Sequence, residues 1–424
     1  MTRVSFDGTR QPASLIAAAA VLAATFAAFP ACAVAGDWPQ FRGPTRSGAS
    51  AETDLLHNWP ESGPPELWRI AIGEGYSAAS VVGDRLYTMY AGEEDGKPVE
   101  YAAAFETGTG KEIWKTVIGD KLDTEFGNGP RSTPTVVDGT VYVLGSHGDM
   151  AALASGDGSV RWRLGLEETF GGSRPHWGFS TSLLVDQGKV IVEAGGPEGK
   201  SYSALDAATG AVLWTTGEAP GPGHNSPLAV DMNGKRRYIY IAGGQLRCID
   251  EDGNEVWQHG WPRGETHAMP VLVGTNRIYA SGAEGVGAQM VEVSEGEDGA
   301  SISEIWKVPN LRNHFSSAIA HGGTIYGFDN ATLKAVSADT GELAWAKRGL
   351  GKGSLILADG YLFVLSDRGR LVQVKAVPEA YIEEGSVQAL TGKTWTAPAL
   401  ADGILYLRSH DEMVAYDLRT GGSS

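Results

Sequence analysis

Seven polar or aromatic side chains occupy related places along this chain, and all are of types that bind ligands or metal ions. Three of them, His224, His267 and His314, precede three consecutive copies of a repeated segment by the same number of residues. With nine histidines among 424 residues, such an alignment would rarely arise by chance. The spacing therefore predicts that these imidazoles gather in space. The complete set is Tyr76, Arg131, His176, His224, His267, His314 and Trp395.

Such a set favours a binding site at one mouth of a channel. A concave surface on which a few polar groups converge is the usual place for a ligand, so we expect a small molecule or a peptide there. Two alternatives remain open. Backbone groups could satisfy the imidazoles in a purely structural cluster. The three histidines could instead hold a metal ion, which would need metal–nitrogen distances near ~2.1 Å.

A repeated hairpin supplies the elements that would position these residues. Residues 204–214 read ALDAATGAVLW, which is an apolar strand, a tight turn that contains glycine, and a second strand that ends in tryptophan. Similar hairpins occur at residues 104–114, 152–162, 248–257 and 335–345. A hairpin that recurs in this way indicates a repeat architecture.

A second pattern lies upstream of each hairpin: small residues, a short apolar run, a turn and a strand that often contains tyrosine. Residues 132–143, STPTVVDGTVYV, are the clearest copy. Each repeat therefore contains four short strands, which is the content of one β-propeller blade. We predict an all-β fold, an eight-bladed propeller of four-stranded antiparallel blades. The eight copies align on Ala79, Pro134, Ser182, Pro227, Pro270, Ser317, Ser354 and Pro398.

The two ends of the repeat region complement each other. The eighth copy stops at residues 415–421, AYDLRTG, where the turn should lead into a tryptophan strand. Residues 65–70, PELWRI, have the character of that missing strand, so we expect them to complete the last blade and leave no free sheet edge. The seventh copy is the weakest. Residues 386–390 take the tryptophan place there, after an interruption at residues 377–385.

This repeat resembles that of the pyrroloquinoline-quinone-like propeller family. Its A-x-D-x-x-T-G-x-x-x-W hairpin is matched at every named position by residues 204–214, and the resemblance extends from about Pro65 to the end of the chain. The family includes quinoprotein alcohol dehydrogenases and the propeller lipoprotein of the outer-membrane barrel-assembly machinery. The resemblance implies the fold more strongly than an activity, because the family contains both enzymes and non-enzymes.

We expect a non-enzymatic binding or scaffold propeller that needs no cofactor. The resemblance leaves two alternatives, a quinoprotein oxidoreductase that uses pyrroloquinoline quinone with calcium, and a subunit of an outer-membrane protein assembly complex. For the oxidoreductase, Arg131 would pair with a quinone carboxylate and Trp395 would offer a stacking surface. The adjacent cysteine pair common in quinoprotein dehydrogenases is missing, and their calcium ligands and catalytic aspartate match no motif of this chain.

The charge of the chain limits its partners. The formal net charge is −17, whereas nucleic acids and anionic membrane surfaces attract proteins with a basic surface. We therefore expect no nucleic-acid partner, and a small molecule, a peptide or a protein instead.

The N-terminal residues resemble an export signal. Residues 1–35 contain two arginines, an apolar segment and the small-residue site AVA, which predicts cleavage before Gly36, a periplasmic or secreted protein, and no transmembrane segment in the mature chain. An uncleaved anchor and lipidation at Cys32 are the alternatives. Residues 36–64 are expected to form an extension packed on the propeller, or else an arm that docks a partner, and residues 65–424 the propeller itself. Cys248, the one cysteine left after cleavage, is expected to be a buried apolar residue.

Overall fold

The strands of this chain pair in groups of four. The computed structural model describes residues 36–218, 223–283, 285–296, 299–309 and 311–421, so the predicted signal segment lies outside the described residues. Within these ranges eight separate four-stranded antiparallel sheets are present, and they form an eight-bladed β-propeller. The predicted fold class is confirmed. In the part of the chain that the structure describes, no helix is long and apolar enough to cross a membrane, and α1 (Leu166–Phe170) has five residues.

The strands of a blade follow one another from the innermost to the outermost. In blades 1 to 4 they are β2 (Ser80–Val82), β3 (Arg85–Glu94), β4 (Lys97–Glu106) and β5 (Glu112–Asp120); β6 (Thr135–Val137), β7 (Thr140–Leu144), β8 (Asp149–Ala154) and β9 (Val160–Gly165); β10 (Leu184–Asp186), β11 (Lys189–Gly196), β12 (Lys200–Asp206) and β13 (Val212–Thr216); and β14 (Leu228–Met232), β15 (Lys235–Ala242), β16 (Gln245–Ile249) and β17 (Glu255–Gly260).

The strands of blades 5 to 8, in the same order, are β18 (Val271–Val273), β19 (Arg277–Gly282), β20 (Gly287–Gly296) and β21 (Gly299–Val308); β22 (Ile319–His321), β23 (Thr324–Asp329), β24 (Thr332–Ser337) and β25 (Leu343–Arg348); β26 (Ser354–Ala358), β27 (Tyr361–Leu365), β28 (Arg370–Lys375) and β29 (Glu383–Gln388); and β30 (Ala399–Ala401), β31 (Ile404–Arg408), β32 (Glu412–Asp417) and β1 (Glu66–Ala71). Blade 8 therefore joins the two ends of the propeller region, with Trp68 of β1 opposite Ala415 of β32.

A row of three side chains crosses most blades and explains the composition of the repeat. In blade 2, Tyr142 of the second strand lies opposite Ala152 of the third, which lies opposite Trp162 of the fourth. The middle residue is alanine in blades 1, 2, 6 and 8 and methionine in blade 5, and in all five blades the two aromatic rings lie 5.9 to 6.2 Å apart between centroids. In blade 4 the middle position is taken by Cys248, which is buried and free, as predicted.

Six of the blade tryptophans also seal the gap to the following blade. Trp162 donates its indole N–H to the carbonyl of Ala207 in the turn of blade 3, at 3.0 Å. Gly210 of that turn has a positive φ of 74°, and a Cβ at this position would lie 2.9 Å from the Trp162 ring. The glycine of one hairpin and the tryptophan of the preceding blade are thus one packing unit. The same donation to the next blade is made by Trp68, Trp114, Trp214, Trp306 and Trp345.

Blade 7 has no tryptophan of its own, and a residue from outside the repeat fills the gap. The position that corresponds to tryptophan is Gly385, which lies opposite Gln373 just before the bulge of the outer strand. The ring of Trp59 covers Gly385 and lies 6.0 Å from Phe363, which takes the tyrosine place. The prediction that residues 386–390 occupy the tryptophan place is wrong by one residue, because the interrupting loop ends sooner and β29 begins at Glu383.

The segment before Trp59 crosses the central channel and contacts the inner strands of several blades. Trp38 pairs with Val81 of blade 1, and Ala49 pairs with Leu357 of blade 7. The Arg42 guanidinium, 4% exposed, donates to the carbonyls of Ser317 and Ala318 at 3.0 and 2.6 Å. Arg46, on the same segment, reaches the carbonyls of Ser182 and Leu183 at 2.9 and 3.0 Å. This segment therefore ties together inner strands from opposite sides of the ring.

Candidate functional site

A cup of about 460 Å³ lies at the mouth of the channel, where the approach segments to the inner strands converge. Its walls carry a belt of serine and threonine side chains from the starts of the inner strands, because only small residues fit where eight blades meet. Its floor is formed by Phe41 and Arg42 of the N-terminal segment. The belt consists of Thr133, Ser180, Ser182, Ser226, Ser316, Ser317, Ser354 and Thr396.

Six of the seven predicted site residues line this cup, and each comes from a different blade. Each precedes the innermost strand of its blade by four or five residues, so the ring symmetry brings them to one mouth. They are Tyr76, Arg131, His224, His267, His314 and Trp395.

His176 does not join the cup. Its side chain is 75% exposed and contacts the carboxylate of Glu125 at 3.2 Å. The next residue, Trp177, points inward instead and lies 5.7 Å from His224 and 6.0 Å from His267 between ring centroids. Because the approach segment of blade 3 is a loop, its backbone decides which of these two neighbours enters the cup.

The three histidines form a continuous row. The centroids of His224 and His267 lie 5.0 Å apart, and those of His267 and His314 lie 5.3 Å apart, with the rings nearly perpendicular in the first pair. Among the residues that the structure describes, no group of three or more histidine, cysteine or carboxylate side chains is placed to hold a metal ion. The imidazole nitrogens of the row can donate and accept hydrogen bonds.

The imidazoles of the row resist protonation. Burial, together with a smaller effect of the nearby Arg131 charge, lowers the pKa of His224 to about 4. Burial likewise lowers the pKa of His267 to about 3, with the neighbouring imidazoles and Lys352 acting in the same direction. Both rings are thus neutral near pH 7, and each can donate one hydrogen bond and accept another. His224 uses its Nδ1 in a 2.8 Å hydrogen bond with the hydroxyl of Ser180.

These pKa values predict a loss of stability in acid. Well above pH 6.5, the ordinary pKa of histidine, the imidazoles are neutral in both the folded and the unfolded chain. As the pH falls toward 4, the unfolded chain binds protons that the folded row cannot accept, so stability decreases. The double variant His224→Gln/His267→Gln should lose several kcal/mol less than the parent between pH 7 and pH 4, measured by urea unfolding at each pH.

His176→Gln is the matched control for this experiment, because its imidazole is exposed and lies outside the row. Its unfolding free energy should follow the parent at every pH. Equal acid sensitivity of the parent and the double variant would contradict the assignment of two neutral, desolvated imidazoles.

Aromatic side chains form the opposite wall. The rings of Tyr76 and Trp395 are stacked with centroids 5.7 Å apart, and Phe315 lies 4.9 Å from Trp395. The guanidinium of Arg131 lies 5.7 Å above the Tyr76 ring. Burial raises the pKa of the Tyr76 hydroxyl to about 12, so this phenol stays protonated.

Sequence reasoning missed several residues of the cup. Three of them lie within two residues of the position that His224, His267 and His314 share in the repeat: Trp177, Phe315 and Lys352. Considering two residues on either side of that position in every repeat would have found them. Glu265 lies two residues before His267 and is also recoverable in this way. Arg42 carried no signal, because it lies in a segment outside the repeat.

The lining does not fit pyrroloquinoline quinone with calcium. Of the described lining residues, Glu265 is the one carboxylate, and no asparagine or aspartate is among them. Arg131, the expected carboxylate partner, donates both terminal nitrogens to its own loop, at 2.6 Å to the Gly129 carbonyl and 2.9 Å to the Gly127 carbonyl. Cys248 is buried in the third strand of blade 4 and is not part of the lining.

Comparisons with known proteins agree with this architecture. A family model described as outer membrane protein assembly factor BamB matches residues 99–347 and 329–423. BamB of Salmonella typhimurium (strain LT2) is 25% identical over 332 residues, which cover 75% of this chain and 81% of that protein.

Two solved structures share the fold. BamB from Moraxella catarrhalis has a TM-score of 0.59 at 16% identity and covers 85% of this chain and 98% of its own. Quinohemoprotein alcohol dehydrogenase from Comamonas testosteroni has a TM-score of 0.61 at 14% identity, with 93% and 82% covered. At these identities the structural likeness concerns the fold alone. The family match, in contrast, extends over most of the propeller, and the chain therefore belongs to the pyrroloquinoline-quinone-like propeller family of the outer membrane protein assembly factor BamB.

Proposed function

We propose that this chain is an exported, non-enzymatic binding and scaffold propeller whose cup holds a small molecule or a peptide. The observation that carries the proposal is the convergence of side chains from six blades on one concave surface with polar atoms that lack a protein partner. The Nε2 of His267 and the hydroxyl of Thr396 are buried without a hydrogen-bond partner among the described residues. Buried polar groups are nearly always paired, so a ligand or water completes them.

The chemistry of the cup supports binding rather than catalysis. Ser180 and His224 form a contact between a hydroxyl and a base, but a pKa of about 4 makes this imidazole a weak base near pH 7. No carboxylate contact to the His224 ring is found among the described residues, whereas a serine–histidine nucleophile needs a third group to orient the base.

A screen of small molecules and tripeptides by thermal shift tests the proposal. We expect compounds that raise the melting temperature of the parent and that have no effect on Trp395→Ala or His267→Ala, because these variants remove the two walls of the cup. The proposal fails if no compound stabilises the parent, or if every stabilising compound acts equally on both variants.

A second candidate function is a subunit of an outer-membrane protein assembly complex. It is favoured by the family match and by the likeness to the Salmonella assembly factor over 81% of that protein. In this reading the exported chain contacts other proteins of such a complex, either free in the periplasm after cleavage before Gly36 or held by a lipid at Cys32.

Exchange into Salmonella tests the second function. The gene for this chain should restore the level of assembled outer-membrane proteins in a strain that lacks its own BamB. Intact mass of the exported chain distinguishes a start at Gly36 from acylation at Cys32. Normal export without restoration would count against the assembly role and leave the binding role intact.

A further inference from the structure

The charge of the cup is opposite to that of the protein. The chain as a whole carries −17, yet three cations, Arg42, Arg131 and Lys352, face the single carboxylate of Glu265 among the described lining residues. A concave pocket with low-dielectric walls concentrates the electric field of the charges that line it. The cup should therefore attract an anionic group from a solution that the rest of the surface repels.

One of these cations is available to a ligand. The guanidiniums of Arg42 and Arg131 already donate to backbone carbonyls. The Nζ of Lys352 makes no hydrogen bond or ion pair with any residue that the structure describes, although the side chain is partly buried in the lining. Its charge acts on His267, whose pKa it helps to lower. Lys352 and the unpartnered Nε2 of His267 thus form one polar wall, and no described residue offers this wall a hydrogen-bond acceptor.

The aromatic wall accepts a ring on one side. Tyr76 and Trp395 are 5.7 Å apart with an interplanar angle of 27°, which leaves no space for a ring to insert between them. Phe315 lies 4.9 Å from Trp395, and the Nζ of Lys393 lies 4.4 Å from the centroid of the Trp395 ring. A ring can therefore pack on this wall with one face only, from the side of the cup, and present its other face and edges to the hydroxyl belt. The Thr396 hydroxyl, 2% exposed and without a partner, lies in that belt.

These requirements describe a ring with one flat apolar face, several hydroxyl groups and one negative charge. A fused aromatic acid would gain most from stacking on both faces, which this wall does not allow. A pyranose packs its C–H groups against a single aromatic face and directs its hydroxyls sideways, where paired serine, threonine and imidazole groups can donate and accept.

We propose that the cup binds an acidic sugar, a pyranose that carries a carboxylate, with the ring on the Trp395 wall and the carboxylate at Lys352 and His267. This inference rests on the proposed binding function and names its ligand class. The 460 Å³ of the cup lies within the range of small-molecule sites, roughly 300–1,000 Å³.

Calorimetric titration with uronic acid oligosaccharides tests this inference. The probes are di- to tetrasaccharides of D-glucuronate, D-galacturonate and D-mannuronate, and the matched neutral controls are the glucose, galactose and mannose oligomers of the same length. At least one acidic probe should bind tenfold or more tightly than its neutral counterpart, and Lys352→Met should abolish that difference. Lys121→Met is the control variant, because Lys121 pairs with Glu74 outside the lining.

Two results would overturn the inference: no acidic probe binds at millimolar concentration, or Lys352→Met leaves the preference for acidic probes unchanged. The thermal-shift screen separates this failure from a failure of the binding function. Hits from other chemical classes that depend on Trp395 would leave the function intact and discard the acidic sugar. Unchanged melting temperatures of Lys352→Met and Lys121→Met would show that a loss of binding is not a loss of fold.

Discussion

Replacing Trp59 with alanine should lower the free energy of unfolding by about 3–5 kcal/mol, the usual cost of truncating a buried aromatic side chain. Trp59 is 8% exposed and fills the place between blades 7 and 8 that a blade tryptophan occupies elsewhere. Without it, the outer strand of blade 7 would face an open cavity. Chemical denaturation followed by far-ultraviolet circular dichroism measures the effect.

Position 385 provides a test specific to this packing. A Cβ on Gly385 would lie 3.1 Å from the Trp59 ring, so Gly385→Trp alone should destabilise the parent. In the background of Trp59→Ala the same substitution should recover stability, since it returns the tryptophan to its strand. The sign of the effect therefore reverses between the two backgrounds. Equal destabilisation in both would contradict the assignment, and Trp177→Ala, on the cup rim, should cost far less than Trp59→Ala.

Replacing Arg42 with alanine should cost at least about 3 kcal/mol, because it leaves several buried carbonyl groups without a donor. The guanidinium donates to Ser47, Ser317 and Ala318 at 2.6 to 3.0 Å and carries no carboxylate partner among the described residues. Its burial lowers the pKa to about 10, and the side chain remains charged near pH 7. Thermal and urea unfolding measure the loss.

Two variants show whether the geometry of the guanidinium is responsible. Arg42→Lys keeps the charge but replaces a planar fork by one point donor, so it should recover only part of the stability. Arg85→Ala removes a guanidinium that also donates to two carbonyls, at 2.8 Å each, but at the outer surface, and it should cost under about 1 kcal/mol. If Arg42→Ala costs no more than Arg85→Ala, the N-terminal segment does not hold the ring together.

The propeller could be predicted because the sequence pattern that specifies each blade is short and recurs along the chain. The alanine lies between the tyrosine and tryptophan rings of a blade, and the glycine in the turn leaves room for the tryptophan of the preceding blade. Both packing arrangements recur around the ring. The same symmetry brought six of the seven predicted site residues to one mouth. Where a loop leaves the symmetry, as at His176 and Trp177, the sequence offered no means to decide which side chain turns inward.

The sequence by itself determined the blade count, the order of strands and the ring of approach positions, because each depends on a period that can be read along the chain. Tertiary structure alone decided how the non-repeating residues are used. Trp59 replaces a tryptophan that blade 7 lacks, and Arg42 closes the floor of the cup against residues about 275 positions away. Such contacts depend on the shape and the unpaired carbonyl groups of a surface that exists only after the ring has formed. No periodic pattern in the sequence therefore predicts them.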